Sequence, residues 1–212
     1  SYAGQWLDDE QHGAGVNSYR SGDVYDGEHK NGKQSGLGKK VFKDGTMYEG
    51  SFLTGVYVGK GKLTFPDKSV FEGDFIDGKM NGKGCFHGAD GSVYMGQYSN
   101  DMMSGHGVMT YADESIYDGR WLNNKRNGFG KITTVNGIVF EGKFADDMKN
   151  GHGKMTNMST NEFFEGEYQK DKRHGHGHCR YKDGTQYTGA WKFGFRNGQG
   201  DTTFSNGASY SG

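Results

Sequence analysis

The sequence is poor in features that mark secreted, membrane and nucleic-acid-binding proteins. Only two of its 212 residues are cysteine, Cys85 and Cys179, which excludes a disulfide framework. No apolar run approaches the roughly 18 residues of a membrane span, and the polar first residues predict no signal peptide, so we expect a cytoplasmic protein. The formal net charge of −1 gives no global field to attract nucleic acid, and we expect no nucleic-acid partner.

Glycine and aromatic residues are abundant instead, and they recur together at a fixed interval. The 39 glycines are more than double average usage, which is about 7%. An aromatic-x-Gly motif starts at Tyr2, Tyr25, Tyr48, Phe71, Tyr94, Tyr117, Phe140, Phe164, Tyr187 and Tyr210. Every step is 23 residues except the 24 from Phe140 to Phe164. Such a period predicts a single repeat array over residues 1–212, with nine repeats starting near 2, 25, 48, 71, 94, 117, 140, 164 and 187 and a partial tenth at 210.

Each repeat has the pattern of two β-strands. Apolar and polar side chains alternate in residues 48–52, and again in residues 61–65 after a Gly-x-Gly pair. Pairs such as Asp44-Gly45 follow the second strand and favour tight antiparallel turns. Apolar residues nowhere recur at helical spacing, so we predict an all-β meander of hairpins without helices. The repeated strand glycines predict that an aromatic ring of a neighbouring strand packs over bare backbone.

The units at 117–121, 140–144 and 164–168 read Tyr-Asp-Gly-Arg-Trp, Phe-Glu-Gly-Lys-Phe and Phe-Glu-Gly-Glu-Tyr, each followed by Gly-x-Gly. They resemble the MORN repeat (membrane occupation and recognition nexus), and the resemblance covers the entire chain. It implies an elongated, twisted single-sheet array of antiparallel β-hairpins. It also implies either protein assembly or phospholipid contact, and a chain made only of such repeats is similar to scaffold proteins of protist cytoskeletons.

Departures from the repeat are where chemistry particular to this chain is expected. In repeat four, Cys85 and His87 lie on one strand face, with Asp90 in the next turn and His106 in the next repeat. Thiolate, imidazole and carboxylate are the ligands of zinc, so these four residues predict a structural zinc site. The alternative is a solvated cysteine and histidine in an irregular strand, and no other cofactor is expected.

A second cluster comprises His174, His176, His178 and Cys179. Strand alternation separates Cys179 from His178 and aligns the thiol with positions that are apolar in other repeats. We therefore interpret Cys179 as a small buried hydrophobic residue, and metal binding as the lesser alternative.

The favoured function is a self-associating structural scaffold. Repeat nine carries Trp191, Phe193 and Phe195 around its loop, and Tyr210 opens the incomplete tenth copy. Clustered exposed aromatics often mark a contact surface, so these four residues predict an antiparallel homodimer interface. The alternative is that this loop folds back over its own aromatic residues. The expected partners are a second copy and cytoskeletal proteins.

The alternative function is a peripheral phospholipid-binding module at the inner face of a membrane. Polar loops of about five residues, such as 122–126, are expected between the aromatic motif and the Gly-x-Gly pair. They carry a row of basic residues at Lys30, Lys33, Lys79, Lys83, Lys125, Arg126, Lys149, Lys172 and Arg173. Such a row attracts anionic headgroups, although loop aspartates offset part of its charge.

An enzyme is not expected. The Gly-x-Gly pairs are strand glycines, and no Gly-x-x-x-x-Gly-Lys-Ser/Thr loop is present. The carboxylates Glu49, Glu72, Glu141 and Glu165 occupy one repeat position, which predicts a ladder rather than a paired acid and base.

Overall fold

The computed structural model describes all 212 residues, and it confirms an all-β chain with no helix and an antiparallel sheet of nineteen strands. No helix is therefore available that could cross a membrane. Two compact units, residues 1–103 and 104–212, are described separately below. The first contains β1 (Tyr2–Leu7), β2 (Glu10–Ser18), β3 (Val24–Lys30), β4 (Lys33–Val41), β5 (Met47–Leu53), β6 (Val56–Thr64), β7 (Val70–Ile76), β8 (Lys79–His87) and β9 (Val93–Ser99).

The second unit contains most of β10 (Met102–Thr110) and all later strands. These are β11 (Ile116–Leu122), β12 (Lys125–Thr133), β13 (Ile138–Ala145), β14 (Met148–Asn157), β15 (Glu162–Gln169), β16 (Lys172–Arg180), β17 (Gln186–Lys192), β18 (Phe195–Thr203) and β19 (Ser209–Ser211). Within each unit a strand pairs with its neighbours along the chain, so each repeat is one hairpin, as predicted.

The connection inside each hairpin is shorter than the sequence suggested. In repeat six the expected loop 122–126 contains a turn of only two residues, Asn123 and Asn124, with φ of 50° and 66°. Leu122 and Lys125 on either side of it already belong to β11 and β12. Two consecutive positive φ values define the type I′ turn, whose twist matches that of antiparallel strands, so the loop prediction was wrong.

A β-bulge that recurs among the hairpins explains the Gly-x-Gly pair. Gly119 lies opposite Gly130, but Trp121 lies opposite Arg126, so three residues of β12 face the single residue Arg120. Gly128, inside the bulge, has φ of 89°, which a residue with a side chain rarely adopts. The two-residue turn pairs Leu122 with Lys125 and Trp121 with Arg126, so Arg126 lies on the aromatic face beside Trp121.

The second glycine of the pair makes room for a ring. A Cβ placed on Gly130 would come within 2.6 Å of Cε2 of Tyr117 on the neighbouring strand, which confirms the predicted packing of ring over glycine. The Tyr117 hydroxyl donates a hydrogen bond to the carbonyl oxygen of Arg120 at 3.0 Å. The ring is thus fixed over the hairpin at both ends.

These rings form the core. In the second unit Tyr117 packs edge-on against Trp121 of its own repeat at 5.2 Å and against Phe144 of the next repeat at 5.3 Å. The same alternation joins Phe140 to Phe144 and Tyr168. In the first unit it joins Tyr25, Tyr48, Phe52, Phe71, Phe75 and Tyr98. We call the line of buried rings within each unit the aromatic spine.

The opposite face of the strands is solvated and charged. Ion pairs cross from one repeat to the next at Lys39–Glu49 (3.2 Å), Lys62–Glu72 (2.9 Å) and Lys154–Glu165 (3.2 Å). Because these carboxylates are each paired with lysine, they form a structural ladder.

The turns between repeats follow the predicted Asp-Gly chemistry. Asp44 accepts a hydrogen bond from the backbone N–H of Thr46 at 2.8 Å, which lowers the pKa of its carboxyl, while Gly45 supplies φ of 89°. The extra residue of repeat seven falls in a longer turn after Asn157, where Asn161 has φ of 59°. The strands on either side keep the register of the other repeats.

Candidate interaction surfaces

Cys85 and His87 of β8 lie together, with Sγ 3.3 Å from Nε2 of the imidazole. Glu72 stands opposite Cys85 on β7. Burial, followed by the negative charge of Glu72, raises the pKa of the Cys85 thiol. At neutral pH the sulfur is therefore a neutral thiol, which is the form less suited to zinc binding or nucleophilic attack.

The other two residues of the predicted zinc site have partners elsewhere. The Asp90 carboxylate accepts hydrogen bonds from the backbone N–H and the hydroxyl of Ser92 in its own turn, at 2.9 and 2.6 Å. His106 belongs to the second unit, where its Nε2 lies 3.0 Å from the carboxylate of Asp118. Two of the four predicted ligands are thus brought together, and no group of three metal-binding side chains occurs in the chain.

The histidine cluster of repeat eight is divided between the two faces of the sheet. Cys179 is 1% exposed in the core, which confirms its interpretation as a buried hydrophobic residue. His178 faces the other way, and its Nδ1 lies 2.7 Å from the Thr188 hydroxyl. These positions do not converge on a common ligand site.

The predicted dimer residues of the ninth repeat have different environments. Phe193, Phe195 and Tyr210 are 58%, 76% and 65% exposed. Trp191 is only 4% exposed, and its Nε1 donates to the carbonyl of Gly177 at 3.3 Å. Trp191 therefore belongs to the aromatic spine of its own chain, and including it in an exposed interface was wrong.

Phe193 is held in an unfavourable backbone conformation. It occupies the first position of the type I′ turn with φ of 53°, where other repeats place Asn, Asp, Thr or Lys. A bulky residue rarely adopts this left-handed region. The ring has His174 near it, with centroids 5.9 Å apart, and most of its surface remains in solvent.

The nine basic residues predicted to bind lipid separate into two groups. Six are exposed near the hairpin turns: Lys30, Lys33, Lys79, Lys83, Lys125 and Lys172. Leu7, Leu53 and Ile76 also flank hairpin turns of the first unit, and each is more than half exposed. Arg126, Lys149 and Arg173 are instead half-buried on the aromatic face.

A feature that sequence reasoning missed is a layer of side chains lying over the spine, one per repeat. In the second unit these are Arg126, Lys149, Arg173 and Arg196, which we call the cationic row. Each cation lies close to two rings, at 5.7 and 5.3 Å for Arg126, 5.0 and 5.9 Å for Lys149, 4.9 and 5.1 Å for Arg173, and 4.9 and 4.4 Å for Arg196. These distances are within the range of cation–π attraction.

The first unit covers its spine with neutral side chains. The equivalent positions, opposite the second aromatic of each repeat, are Gln11, Gln34, Tyr57 and Met80. Tyr57 stacks on the Tyr48 ring at 4.3 Å, and Gln34 donates to the Tyr19 hydroxyl at 2.8 Å. Positive charge at these covering positions is therefore a property of the second unit. In the first unit the cation of Lys40 lies elsewhere, over the Phe42 ring at 4.8 Å.

Carboxylates neutralise only part of the cationic row. Asp147 forms an ion pair with Arg126 at 3.2 Å, and Asp171 accepts the backbone N–H of Lys149 at 2.8 Å. No carboxylate lies within ion-pair distance of Arg173 or Arg196. Burial lowers the pKa of Lys149, Asp171 opposes this effect, and Arg126 and Arg173 lower the pKa further. Mutual repulsion within the row favours an added anion.

Bonds between repeats fix the spacing of the row. In repeats seven, eight and nine, the second residue of the type I′ turn donates its N–H to the carbonyl of the row residue in the preceding repeat. The distances are 3.1 Å from Asp147 to Arg126, 3.0 Å from Asp171 to Lys149 and 2.9 Å from Gly194 to Arg173. The cations are thus placed on a rigid backbone at one per repeat.

Solved structures similar to the chain include the TCP10 domain of CPAP from Danio rerio, with 11% sequence identity, a TM-score of 0.50 and coverage of 93% of this chain and 92% of that one. The TCP10c domain of Drosophila melanogaster Sas-4 is 16% identical, with a TM-score of 0.40 and coverage of 72% and 91%. At such identities the likeness to the first structure concerns the fold alone, and the second score is too low to support an argument. No curated protein sequence matches the chain significantly.

The family model of the MORN repeat matches nine segments of the chain. They are residues 2–24, 25–47, 48–70, 71–93, 94–116, 117–139, 140–157, 164–186 and 187–209. The matched segments begin at the nine aromatic-x-Gly motifs, and each spans the hairpin described above. The protein is a repeat scaffold, and the chain belongs to the MORN repeat family.

Proposed function

We propose that the chain is a non-enzymatic structural scaffold whose copies associate as antiparallel homodimers through the ninth repeat. The scaffold organises a cytoskeletal or membrane-associated assembly in the cytoplasm. The observation that supports self-association most directly is the exposed pair Phe193 and Phe195, with Phe193 placed in a turn conformation unfavourable to it. Backbone strain of this kind is concentrated at functional sites, which supports a function for the exposed ring of Phe193.

The expected strength of association follows from these rings. Fully burying an exposed phenylalanine contributes about 1.5–3 kcal/mol; because Phe193 and Phe195 are 58% and 76% exposed, burying what remains in both copies contributes about 4–8 kcal/mol. Loss of translational and rotational freedom costs an estimated 4 kcal/mol or more. The remainder corresponds to a reversible dimer whose population depends on concentration.

Size-exclusion chromatography with light scattering over a range of concentrations tests this assignment. The test variant carries Phe193→Asn and Phe195→Lys, because Asn123 and Lys125 occupy the equivalent positions in repeat six. We expect the unaltered chain to approach twice the monomer mass and the variant to remain monomeric. The control Leu53→Lys removes a similar exposed apolar side chain elsewhere and should still dimerise. A monomeric unaltered chain at high concentration would refute the proposal.

The second candidate is a peripheral phospholipid-binding module, and the composition of the hairpin turns in the first unit supports it. Exposed Leu53 and Ile76 alternate there with Lys33 and Lys79. Aliphatic tips can enter the headgroup region, while each lysine near an anionic surface contributes about 1 kcal/mol.

Sedimentation with vesicles of phosphatidylserine and phosphatidylcholine, compared with phosphatidylcholine alone, tests the second candidate at physiological salt. We expect binding to the anionic vesicles only, and its loss in the variant Ile76→Ser with Lys79→Glu. Phe195→Lys, which lies in the other unit, is the control and should leave sedimentation unchanged. Equal recovery in the supernatant with both vesicle types excludes this function.

A further inference from the structure

We propose that the cationic row binds an acidic segment of a partner protein, in an extended polyproline-II conformation with an acidic residue at every third position. The row occurs only in the second unit, although the covering position exists in every repeat. Neutral side chains such as Gln34, Tyr57 and Met80 cover the spine equally well in the first unit. Covering the rings therefore does not explain four cations in succession.

The charge balance of the row favours an acidic occupant. Arg126 is neutralised by Asp147, whereas Arg173 and Arg196 have no carboxylate partner within the chain. Arg196 is exposed and donates from Nε to the Tyr181 hydroxyl at 3.2 Å. A guanidinium that lies over an aromatic ring and has N–H groups available is suited to binding a carboxylate through bidentate hydrogen bonds.

The spacing of the row selects the conformation of that segment. Each repeat adds two strands, so successive cations lie about 9.6 Å apart along the sheet. Three residues of a polyproline-II helix advance about 9.3 Å and return to the same face. Seven residues of an α-helix advance about 10.5 Å, so a helical segment falls out of step by about 3 Å over three intervals. The extended segment falls out of step by only about 1 Å.

A cavity beside Arg173 adds an apolar contact. It has a volume of about 120 Å³, and its lining includes Met155, Cys179 and Tyr181. Glu162 also lines the cavity, but its carboxylate accepts a hydrogen bond from the Thr160 hydroxyl at 2.6 Å. An apolar residue between two acidic positions of the bound segment can enter this space.

Fluorescence anisotropy with three labelled peptides tests the proposal on the full chain. The first repeats Glu-Pro-Pro four times, the second replaces Glu by Gln, and the third has the composition of the first with its glutamates adjacent. We expect binding of the first peptide that weakens as salt increases, no binding of the second, and weaker binding of the third. Equal binding of the first and second peptides, or of the first and third, overturns the proposal.

Variants of the row locate the binding site. Arg173→Met with Arg196→Met places methionine where Met80 lies in repeat four, so the fold should be kept. We expect this variant to bind the first peptide about tenfold more weakly or worse. Lys79→Met with Lys83→Met removes the same charge from the first unit and should bind normally.

The role of the row is refuted if the row variant binds the first peptide with unchanged affinity, or if the control variant loses as much affinity as the row variant. It is also refuted if the unaltered chain does not bind the peptide and the row variant loses only its binding to anionic vesicles. Arg196→Met alone, at an exposed position, repeats the test if the double variant unfolds. Light scattering on the same samples reports self-association separately, because the proposed peptide site does not require a dimer.

Discussion

The variant His29→Phe provides a sharp test of the core. His29 occupies the second aromatic position of repeat two, is 3% exposed, and packs edge-on against Tyr2 at 5.0 Å and Tyr25 at 5.1 Å. Its Nδ1 lies 3.2 Å from the carbonyl of Gly27, but its Nε2 is buried without a hydrogen-bond partner. The next repeat places Phe52 in the equivalent position.

Replacing the imidazole should therefore stabilise the chain at neutral pH. An unsatisfied buried polar atom costs about 1–3 kcal/mol, and phenylalanine removes that cost while keeping the ring contacts. It also loses the contact of Nδ1 with the Gly27 carbonyl, worth about 0.5–1.5 kcal/mol, so the expected net gain is about 1 kcal/mol. In a chain of this size each kcal/mol raises the melting temperature by about 2–4 °C.

The difference between the two proteins should also depend on pH. Burial lowers the pKa of His29 below its ordinary value of 6.5, so the unfolded chain binds more protons than the folded chain as pH falls through that value. The His29 protein accordingly loses stability from about pH 6.5 downwards, whereas His29→Phe lacks this loss.

Thermal and urea unfolding between pH 5 and pH 8 measure both effects. The control His152→Gln alters an exposed histidine and should leave the stability at neutral pH unchanged. The reasoning fails if His29→Phe is less stable than the unaltered chain at neutral pH, or if the gap between them is equal at pH 5 and pH 8.

Three further predictions concern single side chains. Gly130→Ala should lower the free energy of unfolding in urea by about 1–3 kcal/mol or more, because its Cβ overlaps the buried Tyr117 ring; an unchanged midpoint contradicts this. Tyr117→Phe should cost about 1 kcal/mol in the same assay through loss of the hydrogen bond to Arg120, and no loss argues against that bond. Glu72→Gln should lower the pKa of Cys85 and so speed its reaction with a disulfide reagent at pH 8; a slower reaction contradicts the assigned electrostatics.

The strand pattern was predictable because it depends on alternation and on a strict period. Tyr48 and Phe52 are both buried on one face, as their spacing indicated. The hairpin turns were harder to predict, since a polar run of five residues looks like a loop until two of them are recognised as a type I′ pair. Asn123 and Asn124 carry that signal, because asparagine tolerates positive φ.

The candidate site was less predictable for a different reason. The face on which a residue lies beside a hairpin turn depends on which residues form the turn, and an expected loop of five residues left that face unspecified. Arg126 was therefore grouped with exposed Lys125, although the register places it over Tyr117 and Phe144. Trp191 was assigned to an exposed surface because it lies in the sequence just before the exposed turn at Phe193, although its side chain is buried.

The two edges of the array differ in their tolerance of altered length. At the hairpin turns, a backbone N–H such as that of Asp147 bonds to a carbonyl of the preceding repeat, so an added residue would displace this bond. At the turns between repeats, the additional residue after Asn157 is absorbed while Phe164 still pairs with Met155. Residues 159–161 are therefore a natural site for inserting an epitope or a fluorescent label, whereas the N–H of Met158 bonds to the carbonyl of Gly137 in the preceding repeat at 3.0 Å.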